Sequence, residues 1–185
     1  MRRTLLLLLL VTLFAIHASA QEYSRVQVFG GYSYTNYPVF QIYSGPWSRA
    51  SFNGWDASAA FKLTPNFSIE GDFGGGFNSA NSRTNRLVTF MGGPRVSTNY
   101  GKIAVYGHVL VGGLNFHGNS GSATSFAAAF GGGADYWLGR RVGVKIAQFD
   151  VLVNTNSAAF GGGNGASQPR ADFRIATGVI FRFGK

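Results

Sequence analysis

From Asn53 onward the chain alternates. Trp55, Ala57, Ala59, Phe61 and Leu63 fall on one parity, and Asp56, Ser58, Ala60 and Lys62 on the other. After Thr64-Pro65-Asn66 the alternation resumes, with Phe67, Ile69, Gly71 and Phe73 against Ser68, Glu70, Asp72 and Gly74. A period of two is the pattern of a strand with two unlike faces. Runs of this kind, bounded by turn residues, predict eight strands. They cover roughly Arg25 to Tyr34, Asn53 to Leu63, Phe67 to Gly76, Leu87 to Ser97, Ile103 to Asn115, Phe126 to Leu138, Val142 to Val153 and Asp172 to Phe183. Most come close to the 9–11 residues that a tilted strand needs to cross a hydrocarbon layer.

The connections between these strands alternate in length. Thr35 to Phe52, Phe77 to Arg86, Phe116 to Ser125 and Asn154 to Ala171 read as long loops, rich in Gly, Ser, Asn and Thr. "TPN", "TNYGK" and "GRR" read as tight turns. Short turns at one end and long loops at the other is the layout of outer-membrane barrels, and an even strand number leaves both termini on the periplasmic side. The predicted fold class is all-β, an eight-stranded antiparallel up-and-down transmembrane β-barrel.

Parity alone does not say which face meets lipid, because a soluble barrel shows the same alternation. The polar face carries small residues and a few charges rather than the Lys and Glu of a solvated surface. The apolar face carries Trp55, Phe61, Phe67, Phe73, Phe173 and Phe183, read as lying near strand ends as interfacial girdles do. The aromatic face is therefore assigned to lipid and the charged face to the lumen.

The N-terminus points the same way. Arg2-Arg3, the run "LLLLLLVTLFAI" and Ala18-Ser19-Ala20 form a positive region, a short apolar core and a cleavage site. That is a secretory signal peptide over residues 1–20, cleaved after Ala20, with the barrel domain over 21–185. The twelve residues of that run, apolar apart from Thr12, span only about 18 Å, short of a bilayer core of about 30 Å. The chain has no cysteine, so no disulfide supports the exported fold. Charged residues make up 12% of the chain against about 25% in ordinary soluble domains. Aromatics reach 15% and glycines number 27. Low charge and many aromatics, with no long apolar segment after the signal, fit strands in contact with lipid.

The formal charge is +9, but the basic residues are scattered and the chain is exported, so nucleic acid is not an expected partner. Outer-membrane lipids and anionic lipopolysaccharide are. Glycine runs such as "AFGGGA" and "AFGGGNG" lack the Gly-Lys-Ser/Thr of a phosphate loop; inside strands, glycine serves instead to make room in a narrow lumen.

Five acids lie inside the strands: Asp56, Glu70, Asp72, Asp135 and Asp150; Asp172 sits at a strand edge. Counting antiparallel pairs around the connections puts Glu70 close to Arg95, Asp135 opposite Lys145 and Asp150 opposite Arg174. With His108, which shares a face with Tyr106, these nine residues form an expected interior polar network. Lys145 and Asp150 differ in parity, so a shared face requires a bulge near Ile146 or Ala147.

The segments "GWDASAAFKLTPNFSIEGDF", "FMGGPRVS", "GHVLVGGLNF", "AFGGGADYWLGRRVGVKIAQFDVL" and "FRIATGVIFRFGK" together resemble the outer-membrane protein A (OmpA-type) eight-stranded barrel family. The match runs from about Val26 to Lys185. The resemblance implies insertion by periplasmic chaperones and the barrel assembly machinery, with Phe181 and Phe183 matching the terminal aromatic signal that the machinery reads. Gly184 and Lys185 follow that signal here. Longer members add a peptidoglycan-binding domain, and cell-wall anchoring is not carried over to this chain.

A lipid-modifying enzyme would need a nucleophilic serine beside a histidine base. Beyond residue 20 the only histidines are His108, assigned to the lumen, and His117, in a glycine-serine loop. No catalytic residue, cofactor or metal is expected. The expected function is structural or interactive, by a monomer with a polar, side-chain-filled lumen; a small porin-like channel is the alternative, and a lipid-modifying enzyme a weaker one.

Overall fold

The computed structural model describes residues 25–39, 48–80, 83–118, 121–154 and 170–184. They form eight strands: β1 (Val26–Val39), β2 (Ser48–Lys62), β3 (Phe67–Ala80), β4 (Arg83–Tyr100), β5 (Ile103–Gly118), β6 (Gly121–Trp137), β7 (Val142–Asn154) and β8 (Arg170–Phe183). Each pairs antiparallel with its sequence neighbours, and β1 also pairs with β8, which closes the barrel. Closure leaves the sheet no open edge, the condition for a sheet to sit in lipid.

The alternation of the sequence becomes an alternation of burial. Along the first turns of β5, Ala104, Tyr106, His108 and Leu110 are buried, while Ile103, Val105, Val109 and Val111 are exposed. All round the outside the same parity shows Phe73, Phe90, Phe130, Phe149, Val151 and Phe181. A shallow hollow of about 420 Å³ between Phe73 and Phe90, floored by Gly71 and Gly92, belongs to this apolar wall rather than to the lumen.

At the turn end the connections are tight. The amides of Leu63 and Thr64 both donate to the carbonyl of Phe67, and Thr64 Oγ1 accepts from the Phe67 amide. Tyr100 and Ile103 are joined through Gly101, whose φ of 61° lies in the left-handed region open to glycine.

At the other end the strands run further than the sequence predicts. Strand β4 has 18 residues. At 3.3 Å per residue and a tilt near 45° it climbs about 40 Å, more than the ~30 Å of hydrocarbon. Two of the four expected long loops are therefore strand: β3–β4 and β5–β6 stay paired out to Ala80↔Arg83 and Gly118↔Gly121. Polar cross-strand contacts hold these extensions, including Ser79–Thr84 at 3.3 Å and Asn115–Thr124 at 2.8 Å. Beyond the apolar band both faces of these extensions are polar, so the apolar–polar contrast that marks a strand disappears from the sequence. His117 accordingly lies on β5, exposed and level with Ser122, rather than in a loop. The other two long connections, 40–47 and 155–169, fall outside the described residues.

The longer strands also move the aromatics. Trp55 is central in β2 and Phe73 central in β3, packed ring to ring at 5.3 Å, so these two belong to the middle of the wall and not to a girdle at the strand ends.

Candidate functional site: a stratified lumen

The inward side chains sort into three layers. Towards the loop end, Phe52, Leu87, Met91, Leu110, Leu114, Phe116, Ala127, Ala129 and Leu152 form one apolar cluster. Towards the turn end, Phe29, Ala104, Trp137, Ala176 and Ile180 form another. Between them lies a layer of ionisable and polar side chains. The lumen is thus filled by side chains in layers, with a central slab of ionisable residues between two apolar clusters and further buried polar residues such as Lys62 and Asp172 nearer the ends.

Within the slab one chain of contacts crosses the barrel. Arg95 reaches Glu70 at 3.3 Å through Nη1 and Asp135 at 3.0 Å through Nη2. His108 places Nδ1 2.9 Å from Glu70 Oε2 and Nε2 2.8 Å from Asp150 Oδ1. Arg174 donates from Nε and Nη2 to Asp150 Oδ2 at 3.0 and 2.7 Å, and from Nη1 to Asp72 Oδ1 at 2.8 Å. Asp56 stands 3.5 Å from the same Nη1. These residues come from β2 through β8, so the layer ties together seven of the eight strands. Strand β1 adds Phe29, whose ring lies 3.8 Å from Lys145 Nζ.

All nine residues of the expected network are buried in this layer. Register places Asp135 level with Lys145 and Asp150 level with Arg174. The second pair bonds. The first does not: Asp135 accepts from Arg95, and the Lys145 ammonium donates to Gln148 and lies against Phe29. The reason is the bulge. Ile146 and Ala147 together oppose Thr177, and Thr177 Oγ1 fills the gap with a 2.9 Å bond to the Lys145 carbonyl. The extra residue brings Lys145 and Asp150 to one face and carries the lysine towards Gln148.

Three buried polar residues went unassigned in the sequence. Tyr106 donates to Gln148 Oε1 at 2.7 Å and its ring lies 3.6 Å under the Arg95 guanidinium. Gln148 donates onward to Asp150 at 2.8 Å. Asp172, set aside as a strand-edge residue, is 2% exposed and accepts from Asn154 at 3.1 Å. Each shares parity with a residue that was assigned (His108, Asp150 and Arg174), and that parity was the available signal.

The "AFGGGA" run serves this layer. A Cβ at Gly131 would stand 2.0 Å from Asp150 Oδ1, so only glycine leaves space for the carboxylate that holds both His108 and Arg174.

The chemistry follows from the partners. Both ring nitrogens of His108 face carboxylate oxygens, so the imidazole carries two N–H groups or shares a proton with one carboxyl. In either state neither nitrogen is turned to a serine. The nine-residue layer sets five carboxylates against Arg95, Lys145, Arg174 and His108, and Asp56 is the carboxylate held least, with no hydrogen bond to either oxygen. Phe181 and Phe183 stand elsewhere, on the outer wall of β8, exposed and with their rings 6.3 Å apart.

No protein-family model and no curated protein matches the chain. Solved structures do. Neisserial surface protein A is similar at a TM-score of 0.60 and 11% identity, over 85% of this chain and 97% of that one. Ail, the attachment invasion locus protein of Yersinia pestis, is similar at 0.54 and 11%, over 87% of this chain and 99% of that one. At such identity the likeness carries the fold alone, and that fold is the eight-stranded barrel of the bacterial outer membrane.

Proposed function

We propose that the chain is an OmpA-type barrel of the bacterial outer membrane whose role is structural and interactive, exercised through its loop end, and neither catalytic nor conductive. One observation supports this most: the ionic slab is closed above by Phe52, Leu110, Leu114 and Leu152 and below by Phe29, Trp137 and Ile180, all buried. A pore needs a wetted path, and eight strands leave an interior that side chains fill. The histidine that could act as a base is held between two carboxylates. The loop end, by contrast, rises beyond the bilayer on long polar strands, where exposed Arg86 lies over the Phe77 ring and offers a cation to lipopolysaccharide phosphates.

On this reading residues 1–20 are removed after export, periplasmic chaperones and the barrel assembly machinery insert the barrel through Phe181 and Phe183, and the mature protein is a monomer. Planar-bilayer recording tests the closed lumen. The purified barrel should give at most brief, rare events, and long-lived openings would replace this reading with the small channel.

A further inference from the structure

The basic excess of this chain is not spread over its surface at random. Of the seven acids, six are buried in the lumen at 0–4% exposure: Asp56, Glu70, Asp72, Asp135, Asp150 and Asp172. The seventh, Glu22, lies outside the described residues. Among the described residues, therefore, no carboxylate stands on the outside of the barrel to offset an exposed cation.

At the turn end the cations form a ring. Arg25, Lys102, Arg140 and Arg141 are all exposed. Backbone bonds fix where they stand: the Arg25 carbonyl accepts from Lys62, the Lys102 carbonyl from Trp137 and the Arg141 carbonyl from Arg182, each at 2.8 Å. The four thus lie at β1, at the β4–β5 turn and at the β6–β7 turn, on the same end of the closed sheet. Lys62 and Arg182 turn inward instead, Arg182 lying 3.3 Å over the Trp137 ring.

Three of the four ring cations sit just past an exposed apolar side chain. Tyr100 precedes Lys102, Leu138 precedes Arg140, and Phe183 pairs with Val26 beside Arg25. Tyr100 is 70% exposed and Leu138 62%. That sequence of apolar belt and then cation, repeated round the rim, sets the charges at the height of phospholipid headgroups. Four like charges, with no acid among them in the described residues, repel one another, and anions from the membrane relieve that repulsion at no cost in protein contacts.

We propose that this ring binds the anionic phosphate headgroups of phospholipids in the leaflet that the turn end touches. The proposal rests on reading the outer wall as lipid-facing, and it does not depend on which way the barrel points in the cell. The probe is spin-labelled phosphatidylglycerol against spin-labelled phosphatidylcholine, each added to the full barrel in phosphatidylcholine vesicles. Resonance from the motionally restricted lipid reports what sits against the protein. We expect the native chain to prefer phosphatidylglycerol by about two-fold or more. The quadruple variant Arg25→Gln, Lys102→Gln, Arg140→Gln, Arg141→Gln should lose most of that preference. High salt should abolish it in the native chain. Equal restriction of both lipids by the native barrel, or a preference that survives the quadruple variant, would overturn the proposal. Absence of any restricted component would instead contradict the membrane reading itself. Heat-modifiable migration of each variant shows that the barrel has folded.

Discussion

Arg174 does more in this lumen than any other single side chain. It faces Asp150, Asp72 and Asp56, drawn from β7, β3 and β2, while it stands on β8 itself. Removing it leaves three buried carboxylates without their common cation. Removing Asp150 leaves Arg174 two remaining acids, but takes away one of the two carboxylates holding His108. Stranding one partner of a buried pair costs about 3–5 kcal/mol. Urea unfolding in lipid vesicles should therefore rank Arg174→Ala as more damaging than Asp150→Ala, and both above Asp56→Ala, whose oxygens accept no hydrogen bond. A double-mutant cycle on Asp150 and Arg174 should return a coupling of about 0.5–3 kcal/mol. Additive losses would contradict the pair. These residues are legible in the sequence because a charge on the polar parity of a strand has one place to go, and counting around a turn says what it meets. Lys145 shows the limit. Counting sets it level with Asp135, but side-chain length and the local bulge decide its actual partner, and neither is visible in an alternation.

At the level of elements, all eight strands can be read from period two, and so can the need for a bulge in β7. The loop-side ends cannot. "NSANSRTN" and "FHGNSGSATS" read as loops because both faces are polar, yet ladder bonds hold most of each as strand. The apolar layers of the lumen are equally hidden. In "VYGHVLVGGLNF" Leu110 and Leu114 have the parity of His108, while Val109 and Val111 have the opposite one, so apolar residues line both faces and the alternation is silent there. The bulge itself makes a sharp prediction. Ile146 is the residue without a counterpart on β6, where Asp135 pairs with Lys145 and Ala134 with Ala147. Deleting it restores plain alternation from Lys145 through Gln148 to Asp150, all still inward. Deleting Phe130 from the regular part of β6 has no bulge to absorb it, so either Ala127 and Ala129 or Asp135 and Trp137 must change faces. The Ile146 deletion should still fold, with a heat-modifiable band in detergent gels, and the Phe130 deletion should not. The reverse result would show that the register is misread.

For the molecule as a whole, the distribution of charge and the distribution of apolar surface are complementary. Among the described residues the carboxylates are inside, the outer wall of all eight strands is apolar, and the exposed cations stand at the two rims. In water this would be an inverted protein, with aromatic and branched residues such as Phe149 and Val96 about 60% exposed. In a bilayer each group is matched: lipid against the wall, headgroups against the rims, counter-charges within. Spin labels along β5 test this claim most directly, and since the native chain has no cysteine, single cysteines can be introduced without prior changes. Labels at Val105, Tyr106, Val109 and Leu110, in vesicle-bound protein, report collisions with oxygen, which concentrates in lipid, and with a water-soluble nickel chelate. Labels at Val105 and Val109 should collide freely with oxygen and rarely with nickel, while those at Tyr106 and Leu110 are shielded from both. Strong nickel collisions at Val105 and Val109 would mean that the aromatic wall faces water, and the membrane barrel would be wrong.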